Sequence, residues 1–214
     1  MYFFEYSIIK KEITKLYIYI TKKYYKEVEM LEALILTLIY SKYKKYNVRY
    51  LFQQKEIYYV LAIELVYVCI QAAIFADAYT FIKYASLLKS IYLCSYLGLV
   101  FKHELYKEAI LGSGFVLLGG LCNDLAIRAN GGTMPVFPSL SYLTGYASPE
   151  GFEIAQKLVN DYHVLGNEDT KLKFLTDVFD IGYSVLSMGD VFIRVFVVLI
   201  IFGAVKKLNT FNRI

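Results

Sequence analysis

The feature of this sequence that most constrains its fold is a series of long apolar runs. The clearest covers residues 182–205 and ends at Lys206 and Lys207, and another covers residues 57–78. A helix rises ~1.5 Å per residue and needs ~20 residues to cross the ~30 Å hydrocarbon core of a bilayer. Hydrophobic residues make up 57% of the chain, above the ~45–50% of an average soluble domain. The sequence therefore predicts an integral membrane protein.

Five such runs predict an all-α membrane bundle of about five transmembrane helices. The basic loops at residues 41–49 and 101–107 should be cytoplasmic. Alternation of the spans then puts the start of the first span outside and the C-terminus inside. One membrane domain is predicted over residues 30–214, with one ordered extramembrane segment between the last two spans. The predicted spans are residues 30–43, 57–78, 85–101, 109–127 and 182–205, and the outer segment is residues 128–181.

Residues 1–29 differ from the rest of the chain, because they scatter six lysines among Tyr and Ile residues. Back-translation of Lys26-Glu27-Val28 permits a purine-rich ribosome-binding sequence a few nucleotides before the codon of Met30. We predict that Met30 is the true start and that residues 1–29 are a wrongly assigned leader. The alternative is a basic interfacial helix, which would put six lysines on the outer face, against the usual distribution of charge.

Charge and cysteine content argue against several other classes of protein. The net charge of +4 comes from lysines beside the apolar runs, so no nucleic-acid partner is expected. Cys69, Cys94 and Cys122 each lie within an apolar run. Their spacing fits no zinc site, and they are interpreted as small buried hydrophobic residues. The expected partner is the lipid bilayer, with the chain itself or other membrane proteins as further candidates.

Polar side chains occur at matching depths in the fourth and fifth spans. Asn123 and Asp124 lie about one turn from the outer end of the fourth span, and Asp190 and Arg194 lie near the outer end of the fifth. A lone charge in the membrane costs ~2.5–3.5 kcal/mol, so pairing is expected. Arg194 can pair with Asp190 four residues away, with Asp124, or with Glu32 on the first span.

The second span carries two further polar residues, Glu64 and Gln71. Because they are seven residues apart, they share one face of a helix. A carboxylate at that depth is costly in lipid, so this face should look into the bundle.

Turn signals frame the outer segment. Asn130-Gly131-Gly132 permits positive φ and predicts a tight reversal after the fourth span, with an anion-binding nest of N–H groups as the alternative. Pro149 predicts the start of a short helix over residues 151–158. These signals indicate an ordered segment rather than a plain connection.

His163 lies in a polar stretch of the outer segment, with Asp177 nearby. The chain has two histidines and no zinc-binding spacing, so neither a metal site nor a cofactor is expected. A hydrogen-bonding His163 is the simpler interpretation. Asn167 or Asp169 is predicted to cap a short helix that follows.

Three interpretations of these polar residues remain open. The first is a buried ion pair that sets the register of the helices, and the second is an outward-facing pocket that binds a small ligand or partner in a non-enzymatic membrane component. The third is solvation at the interface without a specific role. A membrane-embedded enzyme or small oligomeric transporter that uses Asp177, Asp190 and His163 is the alternative function. The predicted polar cluster consists of Asn123, Asp124, Asn130, Gly131, Gly132, His163, Asp169, Asp177, Ser187, Asp190 and Arg194.

Together these residues resemble a family of small bacterial membrane proteins, domain of unknown function 5317. The resemblance covers about residues 30–205, and its most specific string is Asn-Gly-Gly-Thr-Met-Pro-Val at residues 130–136. The other matching features are residues 30–34, Asn123, His163, residues 175–178 and residues 186–191. The resemblance implies residence in a bacterial plasma membrane and assigns no reaction.

Overall fold

The computed structural model describes residues 30–76, 85–159 and 162–211. The predicted leader or interfacial helix at residues 1–29 and the end of the predicted second span, residues 77–78, lie outside the described residues. The elements are α1 (Leu31–Tyr43), α2 (Arg49–Phe52), α3 (Lys55–Phe75), α4 (Ala85–Ser95), α5 (Leu97–Lys102), α6 (Tyr106–Ala129), β1 (Met134–Val136), α7 (Leu140–Thr144), α8 (Pro149–Val159), β2 (His163–Leu165), a 3-10 helix (Lys173–Leu175), β3 (Asp177–Asp180), β4 (Val185–Ser187) and α9 (Met188–Phe211).

Within the described residues, three helices are long and apolar enough to cross a membrane. They are α3 over Lys55–Ala73, α6 over Tyr106–Ala129 and α9 over Met188–Phe211. Helix α1 has 13 residues, and the third predicted span is divided at Tyr96 into α4 and α5. These shorter helices fall below the length of ~20 residues that a simple span requires.

Helix α9 lies at the centre of the bundle, where it packs mainly on α6 and also on α1. The closest approach to α6 is at Gly119 and Gly189, because a Cβ on Gly119 would overlap the Gly189 carbonyl oxygen and the Ile193 side chain. A Cβ on Gly189 would in turn overlap the amide oxygen of Asn123. Glycine at both positions therefore lets the two backbones meet, as small residues do in membrane bundles.

One end of the bundle, here called the basic end, holds α2 and the connection from α5 to α6. Polar contacts tie its elements together: Asn47 N–H donates to Asn209 Oδ1 at 2.7 Å, Lys102 pairs with Glu56 at 2.7 Å, and Lys207 pairs with Glu104 at 3.3 Å. These contacts put the C-terminal ends of α1, α5 and α9 and the N-terminal end of α3 at the same level.

The opposite end, here called the sheet end, carries a four-stranded sheet with the order β2-β1-β3-β4. Strand β1 is parallel to β2 and β3, and β4 is antiparallel to β3. Met134 pairs with His163, Val136 with Asp177, and Asp177 with Ser187. The all-α prediction therefore needs correction, since the chain is mostly helical with one small sheet. Strands of three or four residues are too short for the alternating pattern that identifies a strand.

The same strands change the boundary of the last predicted span. Residues 185–187 form β4 rather than helix, and α9 begins at Met188 and continues to Phe211. Pro149 does begin a helix as predicted, and Ser148 Oγ caps it by accepting the Gly151 N–H at 3.0 Å.

The predicted cap at Asn167 or Asp169 is wrong in its details. Asn167 Oδ1 accepts the Asp169 N–H at 3.0 Å, which makes a local turn. The short helix that follows begins only at Lys173, and no side-chain hydrogen bond caps it.

Candidate functional site

Three buried polar side chains join α6 to the start of α9. Ser187 N–H donates to Asp190 Oδ2 at 2.9 Å, and Asp190 N–H donates to Ser187 Oγ at 3.0 Å. The Ser187 hydroxyl lies 2.7 Å from both Asp190 Oδ2 and Asn123 Oδ1, so its single proton can serve either acceptor. Asn123 Nδ2 lies 3.4 Å from Asp190 Oδ1.

The local sequence explains why Asp190 is buried there. Ser187 precedes the first residue of α9, and Asp190 is the third residue of that helix. This reciprocal arrangement is a capping box, which satisfies two N–H groups at the start of the helix. The partial positive charge at a helix N-terminus also stabilises the carboxylate. Ser187 and Asp190 therefore cap α9, and Asn123 fixes the register of α6 against it.

Arg194 lies one turn further along α9, and its ion pair is with α1. Its Nε pairs with Glu32 Oε1, and its Nη1 donates to the Asp190 carbonyl oxygen at 3.2 Å. Asp124, another candidate partner, instead pairs with Arg128 at 2.9 Å on a more exposed face. Of the three sequence-predicted partners, Glu32 provides the ion pair that the structure shows for Arg194.

The sheet brings two more predicted residues to the same end. Asp177 on β3 stands opposite Ser187 on β4, and only 1% of its side chain is exposed. His163 Nε2 lies 3.9 Å from Asp177 Oδ2, beyond hydrogen-bonding distance. We call Asn123, His163, Asp177, Ser187 and Asp190 the sheet-end polar site. It holds two carboxyl groups, one imidazole, one amide and one hydroxyl.

The remaining members of the predicted cluster contact other parts of the chain. Asn130 Nδ2 donates to the Lys171 carbonyl oxygen and its Oδ1 accepts the Lys171 N–H, both at 2.9 Å. Gly131 and Gly132 have φ of 68° and 91°, so the predicted tight reversal is confirmed. Asp169 lies in an exposed turn. The Asn130 side chain thus holds the outer segment against the end of α6.

Asp180 was not among the predicted site residues, yet its carboxylate organises the start of α7. Its Oδ2 accepts the N–H groups of Ser139 and Ser141 at 2.6 and 2.8 Å, and its Oδ1 accepts the Ser141 hydroxyl and the Gly182 N–H at 2.6 and 2.8 Å. Partial burial raises the pKa of Asp180, but these hydrogen bonds outweigh it and bring the pKa below the ordinary value. The sequence did not point to this residue, because Ser139 and Ser141, which supply three of its four hydrogen bonds, lie about forty residues away.

The bundle interior contains a second polar group, centred on α3. Glu64 is buried, as the shared face with Gln71 predicts, and it accepts a hydrogen bond from the Tyr92 hydroxyl. Gln71 Nε2 donates to the Tyr183 carbonyl oxygen at 2.7 Å. The sequence did not single out Tyr92 as the partner of Glu64, because the chain contains 22 tyrosines and nothing local distinguishes this one.

The described residues include no group of three or more His, Cys, Asp and Glu side chains that could hold a metal ion. Hydrogen bonding and ion pairing are the chemistry that the described side chains offer at the sheet end.

Comparison with known proteins relates the chain to a protein family. No curated protein and no solved structure is significantly similar to the chain. A family model matches residues 49–202, a range that contains the whole sheet-end polar site and Glu64 but not Glu32. Since this range is well over half of the chain, the protein belongs to a family of unknown function, DUF5317.

Proposed function

We propose that this protein is an integral membrane protein with five spans, formed by α1, α3, α4 with α5, α6 and α9. The contacts at the basic end support this, because they require the five segments to run alternately between the basic end and the sheet end. Helix α1 then crosses with help from basic residues that extend towards the headgroups. The membrane is a bacterial plasma membrane, in line with the family resemblance.

The outer surface of the bundle supports contact with lipid. Large apolar side chains are exposed along α1, α3 and α6, whereas soluble monomers rarely expose such continuous apolar surface. Those exposed residues are Ile35, Leu36, Ile39, Tyr58, Tyr59, Leu65, Val66, Ile110, Leu111, Leu118, Leu121 and Leu125. Cys69 is exposed on the same surface, unlike the buried position predicted for it.

The distribution of basic residues supports an orientation of the protein in the membrane. Basic residues concentrate at the basic end, which is therefore cytoplasmic, and the sheet end faces outward. The residues that carry this argument are Lys42, Lys44, Lys45, Arg49, Lys206 and Lys207.

A labelling experiment tests the orientation. In a variant without Cys69, Cys94 and Cys122, a single cysteine is introduced by Asp169→Cys at the sheet end or by Lys44→Cys at the basic end; both positions are exposed. A membrane-impermeant maleimide should label the first variant in intact cells and the second only after permeabilisation. The reverse pattern contradicts the orientation, and release of the protein by alkaline washing contradicts membrane integration.

The function that the geometry supports best is binding of a small polar ligand or a partner from the outside, without catalysis, at the sheet-end polar site. The observation that carries this proposal is the convergence of Asp177, Ser187, Asp190 and Asn123, all buried, beside His163. Binding sites typically place a few polar groups within an otherwise apolar surrounding.

A membrane enzyme or small oligomeric transporter is the second candidate, and the separation of His163 and Asp177 favours it. Their 3.9 Å spacing would allow proton exchange after a small movement, as acid–base catalysis or coupled transport requires.

Complementation of a deletion strain separates a binding role from a structural role. His163→Gln and Asp177→Asn should abolish complementation while the amount of protein in the membrane stays unchanged. Asp124→Asn is the matched control, because Asp124 pairs with Arg128 outside the site, and it should complement fully. Full complementation by all three variants would contradict the binding proposal and leave the site a structural one.

A further inference from the structure

The interior group around Glu64 is separate from the sheet-end polar site. Glu64 lies near the middle of α3 and is 3% exposed. Its Oε1 accepts the Tyr92 hydroxyl, and its Oε2 has no hydrogen-bond partner among the described residues. A buried carboxylate oxygen without a donor is costly, because burial has removed the water that would otherwise solvate it.

The neighbouring charges do not neutralise Glu64. Glu32 on α1 and Arg194 on α9 lie within electrostatic range of it, but they form an ion pair with each other. Lys89, a buried cation on α4, is not among the charged groups that act on Glu64. The hydroxyls of Tyr92 and Tyr96, which continue from Glu64, are neutral near pH 7. An ionised Glu64 would therefore be a charge in the bundle interior that neither Glu32 nor Arg194 compensates, which is costly.

Tyr92 and Tyr96 extend this group into a hydrogen-bonded chain. Their hydroxyl oxygens are hydrogen-bonded to each other, either atom can be the donor, and both side chains are fully buried. With Glu64 ionised, Tyr92 donates to Glu64, so Tyr96 must donate to Tyr92. With Glu64 protonated, the order can reverse, so that Glu64 donates to Tyr92 and Tyr92 to Tyr96. The chain is thus compatible with both protonation states of the carboxyl group.

We propose that Glu64 is a proton-binding site inside the bundle, with Tyr92 and Tyr96 as the hydroxyls that adjust to the arrival and departure of the proton. In the loaded state the O–H bond is on the Glu64 carboxyl group, which carries no charge. On release this bond breaks, the proton passes to a water molecule, and the Tyr92 hydroxyl donates to the carboxylate that remains. The site goes beyond ligand binding at the sheet end, since it needs none of those residues.

Infrared spectroscopy on the purified full-length protein in lipid nanodiscs tests the proposal. At neutral pH a protonated carboxylic-acid carbonyl band is expected, and Glu64→Gln should remove it. Glu56→Gln is the matched control on the same helix, because Glu56 pairs with Lys102 at 2.7 Å and should be ionised, so the band should remain. Persistence of the band in Glu64→Gln, or its absence from the unaltered protein, would overturn the proposal.

A second variant keeps the carboxyl group in place. Tyr92→Phe removes the hydroxyl beside Glu64 Oε1, so the same band should shift in frequency, which a purely structural role for Tyr92 would not cause. An unshifted band would overturn the role given to the tyrosines. Loss of the band on addition of sodium ions at constant pH would show that a metal cation displaces the proton. That result would overturn the proposal that the site serves a proton. Because the measurement uses purified protein, its outcome does not depend on the orientation tested above.

Discussion

The hydroxyl of Ser187 should contribute more to stability than an ordinary helix cap, and Ser187→Ala tests this. The hydroxyl accepts the Asp190 N–H and lies 2.7 Å from both Asn123 Oδ1 and Asp190 Oδ2. All three residues are buried, so water cannot replace the lost group. Ser187→Ala removes the cap of α9 and the hydroxyl donor of the Asn123 amide oxygen at once.

The expected loss follows from these contacts. Removal of an N-cap hydroxyl costs about 0.5–2 kcal/mol, and a buried acceptor left without its donor costs about 1–3 kcal/mol. Asp190 Oδ2 keeps the Ser187 N–H at 2.9 Å, so the groups that lose a partner are the Asp190 N–H, counted in the cap, and the Asn123 oxygen. The free energy of unfolding should therefore fall by roughly 1.5–5 kcal/mol.

Ser148→Ala is the matched control, because Ser148 caps α8 through one hydrogen bond to the Gly151 N–H and lies in a half-buried position. The Ser148→Ala substitution should lower the free energy of unfolding by ~1 kcal/mol. Reversible urea unfolding in mixed micelles, followed by circular dichroism, gives both values. A double-mutant cycle of Ser187→Ala with Asn123→Ala should show a coupling of ~0.5–3 kcal/mol. Equal losses for the two serine variants, with no coupling to Asn123, would refute the reasoning.

Three further predictions use the same unfolding assay or hydrogen exchange. Gly119→Ala should destabilise the protein by about 1–3 kcal/mol because the methyl group meets the α9 backbone, whereas Gly114→Ala, where a Cβ meets nothing within 4 Å, should not. Arg194→Gln should destabilise more than the double variant Glu32→Gln/Arg194→Gln, since the single variant leaves Glu32 without its cation. The contribution of Asp180, whose pKa is lowered in the folded state, is present above the unfolded pKa and disappears as pH falls through the folded one. The protection factors of the α7 amides, relative to the intrinsic exchange rates at each pH, should therefore fall in acid, and Asp180→Asn should abolish that pH dependence.

Features set by local sequence were predictable. Apolar length located α3, α6 and α9, and the glycines after Asn130 ended α6 as expected. The inward orientation of Glu64 followed from the cost of exposing a carboxyl group to lipid. Each of these inferences needs only neighbouring residues and a known surrounding medium.

Features set by distant contacts were not predictable. Strand β1 is three residues long and contains Pro135, which reads as a turn or an extended exit rather than a strand in the interior of a sheet. The Tyr92 hydroxyl reaches Glu64 from 28 residues away, and Glu32 reaches Arg194 from 162 residues away. Choosing the partner of Arg194 among three acidic residues required knowing which helices are adjacent.

Asp190, Glu32 and Glu64 are stabilised in different ways, and this difference separates structural roles from the candidate function. The Asp190 carboxylate accepts the Ser187 N–H and lies at the positive end of a helix dipole, and Glu32 pairs with the guanidinium of Arg194. Both arrangements favour a fixed negative charge. Glu64 receives only a neutral hydroxyl, which fits the acid and the carboxylate alike. A group that must change its charge during function needs that tolerance, so the surroundings of Glu64 suit a reversible protonation step better than those of Asp190 or Glu32 do.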